Sequence, residues 1–379
     1  MSERHKIVIA GAGGMGSATG LILKELGDFE ADLFLGDSKA DRAQAAVQWI
    51  REGSAREGAV EAFHLPENGS SPELDAIFQG ADILLDCLPG AQATRMARLA
   101  REYGLHYANL TEHVRETAEI MELAAGAEQG FLLQTGLAPG FVNVLACRLF
   151  NQFCRDHQVS SVDRIVMRVG ALAPTAQPPH YYDFTWSTIG VATEYVEPAT
   201  VIRNFQRMER PSLTEVQPVL IDGVLYEEAL TSGGAADLPT SYLSKTRDLD
   251  YKTLRYPGHY AWAQALLDQA PLGTDRIRYL HEKMRESVPF LDGDDLVVIY
   301  ASVEGRDQSG GLRRIAASLR IPPCQVGRHR LKAIQATTSA GLAESARLLL
   351  RGAVQGVCLQ TQVDPERFLN GPFVGTIYR

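Results

Sequence analysis

The stretch Lys6–Gly16 reads KIVIAGAGGMG, a short apolar run that passes straight into glycines. Gly11, Ala12, Gly13, Gly14, Met15 and Gly16 fit the pattern G-x-G-x-x-G. Glycine-rich turns are common, so the pattern alone is weak evidence. Its context strengthens it, because a strand precedes it and residues 17–26 carry apolar side chains at helical spacing. In such a unit Gly11 allows the tight turn and Gly13 lets backbone approach a pyrophosphate. Gly16 lets helix pack on strand, with the helix N-terminus toward the phosphates. The competing reading is a tight strand-to-helix turn that binds nothing. A second apolar run, 32–35, ends in Gly-Asp37-Ser38, and Asp37 lies 21 residues past Gly16. An acidic residue there accepts ribose hydroxyls and repels a 2′-phosphate, which favours NAD and leaves NADP as the lesser choice. Lys39 and Arg42 pull the other way, and Asp37 also suits a turn before Ser38.

The pattern continues outward from this unit. Residues 40–52 read as a helix, ADILLDCLP as a buried strand closed by proline, and TRMARLAREYG as an amphipathic helix with a glycine stop. LHYANLT and GFLLQTG read as two more strands. Strands alternating with helices predict an α/β fold, a doubly wound parallel sheet covered on both faces. Three strand ends then line its carboxyl edge. They are Cys87, Leu88 and Pro89; Asn109 in NLTE; and Thr135 with Gly136 in TGLAPG, which also suits a hinge or helix start.

With 379 residues the chain exceeds one typical domain, and 45% hydrophobic residues suffice for sizeable cores. The net charge of −9 argues against a nucleic-acid or anionic membrane surface. The five cysteines match no zinc or redox spacing and read as buried small apolar residues of a cytoplasmic protein. MSERHK followed by an apolar stretch imitates a signal peptide, but glycines break that stretch into strand, turn and helix. No 18-residue apolar run occurs, so the chain is expected to be soluble, cytoplasmic and free of membrane spans. HExxH, EF-hand and Cys/His clusters are absent, so no metal is expected.

After Pro139 the texture changes. SVDRIVMRVGAL begins longer strands, and DLVVIYASVEGRDQSGGLRRIAASL reads as a long hairpin with a polar tip. This predicts an α+β domain on a mixed sheet. The expected division is 1–138, 139–330 and 331–379, the last containing a helix over 339–351 that opens with a Ser339 cap.

The stretches GAGGMG, DILLDCLPG, HYANLT, TGLAPGFVNVLA, FTWSTIGVATEYVEPA and YKTLRYPGH follow in that order. Together they resemble the saccharopine dehydrogenase-like family, most closely its lysine 6-dehydrogenase branch. The first is shared by many dehydrogenases, and the last two are far more specific. The resemblance implies an NAD(P)-dependent oxidoreductase with a Rossmann domain and an α+β substrate domain that also forms a homodimer. It further implies a C-terminal helix that returns to the Rossmann domain, and hydride transfer at a carbon bearing an amino acid's nitrogen. The family usually reads Tyr-Val-Asp where this chain has Tyr107-Ala108-Asn109, so a carboxylate is missing unless Glu112 substitutes.

The segment Asp250–Tyr260, DYKTLRYPGHY, crowds titratable groups beside a Pro-Gly turn. Oxidising an amine to an imine requires a grip on the substrate's charged end, a proton acceptor, and a C–H held near the nicotinamide. Arg255 suits an α-carboxylate because its fork makes two parallel bonds. Lys252, Tyr256 and His259 are candidate bases, and His259 needs the least perturbation near neutral pH. Equally, Lys252 and Arg255 fit a solvated strand face and His259 a helix start. Tyr181 and Trp186, in HYYDFTWS, offer a wall for an aliphatic chain, and Glu194 a partner for an ammonium, although core or surface roles suit all three. Oxidative deamination of lysine or a similar basic amino acid leads. Reductive coupling of an amine with a carbonyl acid, of the saccharopine or carboxynorspermidine type, is the alternative, and a second arginine (Arg203, Arg207 or Arg247) in the pocket would favour it. A homospermidine synthase-like transferase and a non-enzymatic NAD sensor complete the field.

Overall fold

The computed structural model describes residues 4–288 and 293–379. Residues 1–3, which begin the basic start noted above, lie outside the described part. The chain divides into two compact units. The first takes the residues up to Phe141, then Cys324–Leu331 and Gln335–Arg379; the second takes Val142–Pro323 with Lys332–Ile334.

In the first unit strands and helices alternate in the order β1 (Arg4–Ala10), α1 (Gly14–Leu26), β2 (Glu30–Asp37), α2 (Ala40–Gly53), β3 (Val60–His64) and α3 (Pro72–Gln79). There follow β4 (Ile83–Asp86), α4 (Ala93–Glu102), β5 (His106–Asn109), α5 (Val114–Leu123) and β6 (Gly130–Leu132). The six strands form one parallel sheet in the order β6-β5-β4-β1-β2-β3, and Gly356–Cys358 adds a seventh parallel strand beyond β6. Both faces are covered, so β4 is buried throughout and β1 is apolar and buried from Ile7 to Ala10. The order reverses between β1 and β4. That reversal opens a crevice at the carboxyl ends of the strands, where doubly wound sheets bind ligands.

The second unit begins in α6 (Phe141–His157) and is built on β7 (Val162–Leu172), α7 (Thr188–Val196), β8 (Ala199–Arg203), β9 (Gln206–Arg210), β10 (Gln217–Ile221) and β11 (Val224–Leu230). It continues with α8 (Leu238–Ser241), β12 (Thr246–Arg255), α9 (His259–Asp268), α10 (Arg276–Ser287), β13 (Leu296–Arg306) and β14 (Leu312–Ile321). The sheet is mixed: β12 runs parallel to β7, and its other pairings are antiparallel. One face packs Tyr182, Val191, Tyr195 and Tyr260 into a core with α7, α9 and α10. On the other, Leu172, Tyr226, Leu254 and Val298 cluster with Tyr256.

The helix expected from Ser339 starts earlier, spanning Ala333–Leu350 (α11). Ser339 is interior to it, and its hydroxyl donates to the Met15 carbonyl at 3.3 Å. The cap comes instead from Asp295, whose carboxylate accepts from the Ala333 and Ile334 amides at 2.6 and 2.8 Å. A cap supplied from 38 residues upstream leaves no local sequence signal.

Candidate active site

The loop after β1 has the shape of a dinucleotide cradle. Gly11 sits at φ +96°, and a β-carbon there would meet the Cys87 backbone at 3.0 Å. At Gly16 it would fall 1.9 Å from the Gly11 carbonyl oxygen. At Gly13 it would meet nothing within 4 Å, so this backbone is open to approach. Gly13 also caps α1 without any side-chain hydrogen bond, leaving the helix's first amides free for an anion. Gly14 and Met15 form the exposed and half-exposed first turn. Ala12 is buried, and its amide donates to Asp37 Oδ2 at 3.1 Å. Asp37 Oδ1 accepts from the Lys39 amide, and Arg42 stands 3.7 Å away. Asp37 therefore ties the end of β2 to the glycine loop, beside the exposed Ser38.

At the other half of the edge the Cys87 amide binds the Ala10 carbonyl at 2.8 Å, leaving Leu88 and Pro89 progressively exposed. Burial pushes the Cys87 thiol up to about 12, so it stays neutral. Asn109 is fully buried; its Oδ1 accepts from the Gln134 amide at 2.9 Å, and its Nδ2 donates to Tyr107 Oη at 3.4 Å. Thr135 binds the Asn109 carbonyl through its amide and hydroxyl, and Gly136 begins the tight TGLAPG loop that leads into α6. A nicotinamide dinucleotide fits these residues. Gly11–Gly16 would take the pyrophosphate, Asp37 the adenosine ribose, and Cys87–Pro89 with Asn109 and Thr135 the other half.

In the second unit one arginine is unusual. Arg255, at the end of β12, is 2% exposed. Its Nε donates to Tyr195 Oη at 2.8 Å and Nη1 to its neighbour's carbonyl, on Leu254, at 3.0 Å. Its guanidinium lies 5.0 Å from the Tyr182 ring centre and 5.7 Å from that of Tyr195. Glu194 is the carboxylate whose charge acts on it. Arg168, buried as deeply, shows the usual arrangement and pairs with both Glu228 and Asp250. The guanidinium donors that the tyrosine hydroxyl and the carbonyl leave suit an anionic ligand.

Around Arg255 the hydrogen bonds have a fixed direction. His259 opens α9 after Gly258, which sits at φ +105° with the Tyr181 ring against it. Burial, then the Arg255 charge, push the imidazole down to about 3, so it is neutral. His259 Nδ1 lies 2.7 Å from the His180 carbonyl, which can only accept, so Nδ1 carries the proton. Nε2 then accepts from Tyr195 Oη at 2.9 Å, and Tyr195 accepts from Arg255. Among the described residues, six buried polar side-chain atoms have no hydrogen-bond partner, and three of them (His180 Nδ1, Tyr182 Oη and Thr185 Oγ1) fall within one six-residue loop beside this chain.

Two family models match the sequence: the saccharopine dehydrogenase NADP-binding domain over residues 7–132 and the saccharopine dehydrogenase C-terminal domain over 136–376. The chain belongs to the saccharopine dehydrogenase family. Among solved structures, its fold resembles the apo saccharopine dehydrogenase (L-Glu forming) of Saccharomyces cerevisiae, with TM-score 0.74 and 14% identity over 97% of this chain and 96% of that one. It also resembles the homospermidine synthase of Legionella pneumophila, solved with NAD, with TM-score 0.63 and 13% identity over 99% and 90% of the respective chains. Like its family, the protein is a dehydrogenase with a nicotinamide cofactor.

The structure separates residues that the sequence had grouped. Side chains alternate along β12. Asp250, Lys252, Leu254 and Tyr256 take one face, while Tyr251, Thr253 and Arg255 take the other. Lys252 is buried against Glu215 and Glu228, its Nζ donating to the Glu215 carbonyl at 2.8 Å. Tyr256 stacks on Tyr226 within the opposite cluster. Neither candidate base therefore stands with Arg255. His259 does, and burial beside the Arg255 charge lowers the pKa of its imidazole. Trp186 is half-buried against the aromatic core, and Glu194 is buried in α7. Glu112 has His113 as its ion partner, at 3.6 Å. Arg203 and Arg247 line a separate cavity of about 490 Å³ with Arg164, Lys252, Glu215 and Asp248, and Arg207 is exposed on β9. Among the described residues no group of three or more His, Cys, Asp or Glu side chains could hold a metal, and no helix is long and apolar enough to cross a membrane. Tyr182 and Tyr195 escaped the sequence reading because tyrosines among apolar residues look like core.

Proposed function

We propose that the protein oxidises the carbon–nitrogen bond of a basic amino acid, lysine or a close relative, with NAD. The observation that carries this reading is Arg255, buried, held by Tyr195 and the Leu254 carbonyl, with guanidinium donors to spare. A substrate α-carboxylate takes the guanidinium donors that Tyr195 and Leu254 leave. One buried arginine with donors to spare suits a substrate with one carboxylate, whereas Arg203 and Arg247 are matched by Asp250, Glu215 and Asp248. That difference favours deamination over coupling to a carbonyl acid. Asp183 and Glu194, both buried, add negative charge to the same neighbourhood, which suits an amine-bearing substrate.

In the reaction the substrate C–H leaves as hydride and an N–H as a proton, forming an imine that water splits to an aldehyde and ammonia. A nicotinamide held by Gly11–Gly16, Asp37 and Cys87–Pro89 would supply the hydride acceptor. The chain's own contribution is to anchor and orient. Tyr195 fixes the plane of Arg255, and neutral His259 fixes the Tyr195 hydroxyl. The unpartnered Tyr182 hydroxyl offers a further polar contact. Asp37 favours NAD, because its carboxylate oxygens, fixed by two backbone amides, would oppose a 2′-phosphate.

The test is NADH formation at 340 nm against a panel of amino acids, diamines and amines. Lysine or a close analogue should lead, with ammonia released in equal amount. Activity only in the reductive direction, with an amino acid and a keto acid together, would favour coupling. Turnover of diamines without net NADH would point to transfer.

A further inference from the structure

Asp86 ends β4 beside the topological reversal, with only 2% of its surface exposed. Its Oδ1 accepts from the Leu88 amide at 2.9 Å, and its Oδ2 from Tyr107 Oη at 2.9 Å. By register it stands opposite Asn109 on β5. It therefore lies directly beneath the Cys87–Pro89 loop. In a doubly wound sheet the half-site at β1–β3 holds the adenosine, so the half at β4–β6 holds the nicotinamide. We propose that Asp86 is the buried charge that distinguishes oxidised from reduced nicotinamide, favouring the cationic ring of NAD⁺ when ionised and releasing that preference when protonated. This rests on the cofactor reading above.

The geometry accommodates both states. When Asp86 is ionised, Tyr107 donates to it. When Asp86 is protonated, the carboxyl can donate to Tyr107 Oη, and Tyr107 turns its own proton to the Ala93 carbonyl, 3.2 Å away. Asn109 Nδ2 donates to Tyr107 Oη in either state. The titratable groups facing Asp86 are Tyr107 from β5, held well above its usual range by burial, and the neutral Cys87 thiol beside it. No cation among the described residues pairs with Asp86. Burial, opposed by the Leu88 and Tyr107 hydrogen bonds, places its titration at about 7. Asn at position 109 is consistent with this, since an aspartate there would set a second buried carboxylate beside the first.

The two redox forms carry the same phosphates, so the ratio of their dissociation constants isolates the charge on the ring. For the wild type, Kd(NAD⁺)/Kd(NADH), measured by calorimetry and NADH fluorescence from pH 5.5 to 8.5, should fall on the order of ten-fold as pH rises. Its midpoint should lie near 7. In Asp86→Asn the ratio should be flat. Tyr107→Phe should keep the transition and move it upward, because the ionised carboxylate loses a donor. If Asp86→Asn fails to fold, the wild type still decides: at pH 7, NAD⁺ binding should release protons into buffer and NADH binding should not. A pH-independent ratio, or an Asp86→Asn variant that keeps the wild-type transition, overturns the proposal while leaving the cofactor reading intact. Failure of both dinucleotides to bind overturns both.

Discussion

Tyr195 Oη lies 2.8 Å from Arg255 Nε and 2.9 Å from His259 Nε2, so one hydroxyl both accepts from a buried cation and donates to a buried neutral imidazole. Those roles are exclusive and leave the hydroxyl a single orientation. The guanidinium is thus held by a group that cannot itself pair with its charge. Tyr195→Phe should strand a donor on Arg255 and an acceptor on His259. The expected loss is about 1–3 kcal/mol of stability, read by denaturant unfolding, with a rise in KM for the amino acid. Unchanged stability would show that water replaces the hydroxyl at no cost.

Arg255→Ala should leave a bound carboxylate unpaired, costing about 2–5 kcal/mol. The corresponding fall in kcat/KM is roughly thirty-fold to several thousand-fold. Arg255→Lys should recover little, because a point charge does not reproduce the fork. NAD affinity should stay near wild type, and a diamine lacking the carboxylate should lose far less than the amino acid. Equal losses for both substrates would make Arg255 a packing residue.

Lys252→Met tests the assignment of the two faces of β12. Removing Lys252 from Glu228 and Glu215 breaks a buried ionic cluster, with an expected cost on the order of 3 kcal/mol, visible as a lower Tm. Arg168 still pairs with Glu228, so the fold should survive. At a temperature where the variant is folded, its KM should match wild type. A large kinetic defect with normal stability would return Lys252 to the catalytic groups.

Asp37→Ser should narrow or reverse the preference for NAD over NADP, measured as the ratio of kcat/KM for the two. A wild type that already prefers NADP strongly would mean that Arg42, 3.7 Å from Asp37, governs the pocket.

Glu344 is fully buried in α11 and accepts from the Phe373 and Val374 amides at 3.1 and 3.4 Å. Burial raises its titration to about 7, from the 4.5 of a solvated glutamate, against the lowering effect of Arg347. Below pH 4.5 the group is protonated whether folded or unfolded and carries no penalty. As pH rises toward 7 the unfolded chain ionises first, so this group's stabilising effect is lost across that window. The loss is on the order of 2–3 kcal/mol. Unfolding free energies of wild type and Glu344→Gln should therefore diverge between pH 4.5 and 7 and run parallel above it. Parallel curves throughout would show that Arg347 keeps Glu344 ionised.

The nucleotide half was legible because its signals are local: glycines at fixed offsets, strand-to-helix changes of period, and an acid at the end of β2. Within DYKTLRYPGHY the residue types drew attention, whereas the alternation of side chains decided their roles. That alternation parts Lys252 and Tyr256 from Arg255, and it was present in the sequence. The partners of Arg255 were not. Tyr182, Tyr195 and His259 converge only when a loop, α7 and α9 pack on one face of β12. The start of α11 was hidden for the same reason, since Asp295 is remote in sequence.

The seventh strand of the parallel sheet, Gly356–Cys358, comes from the far end of the chain, while almost the whole mixed-sheet unit lies between the first unit's opening piece and its two later ones. Synthesis therefore reverses the order of completion. The second unit has nearly all of its residues before the ribosome delivers the strand that covers the edge of β6. Until then the nascent nucleotide-binding sheet carries an open hydrogen-bonding edge on β6, the kind of surface that invites mispairing or chaperone capture. A fragment ending near Gly140 would keep that edge permanently, so the nucleotide half should resist expression as an N-terminal piece, whereas residues 142–323, nearly all of the second unit, form one continuous segment suited to being produced alone.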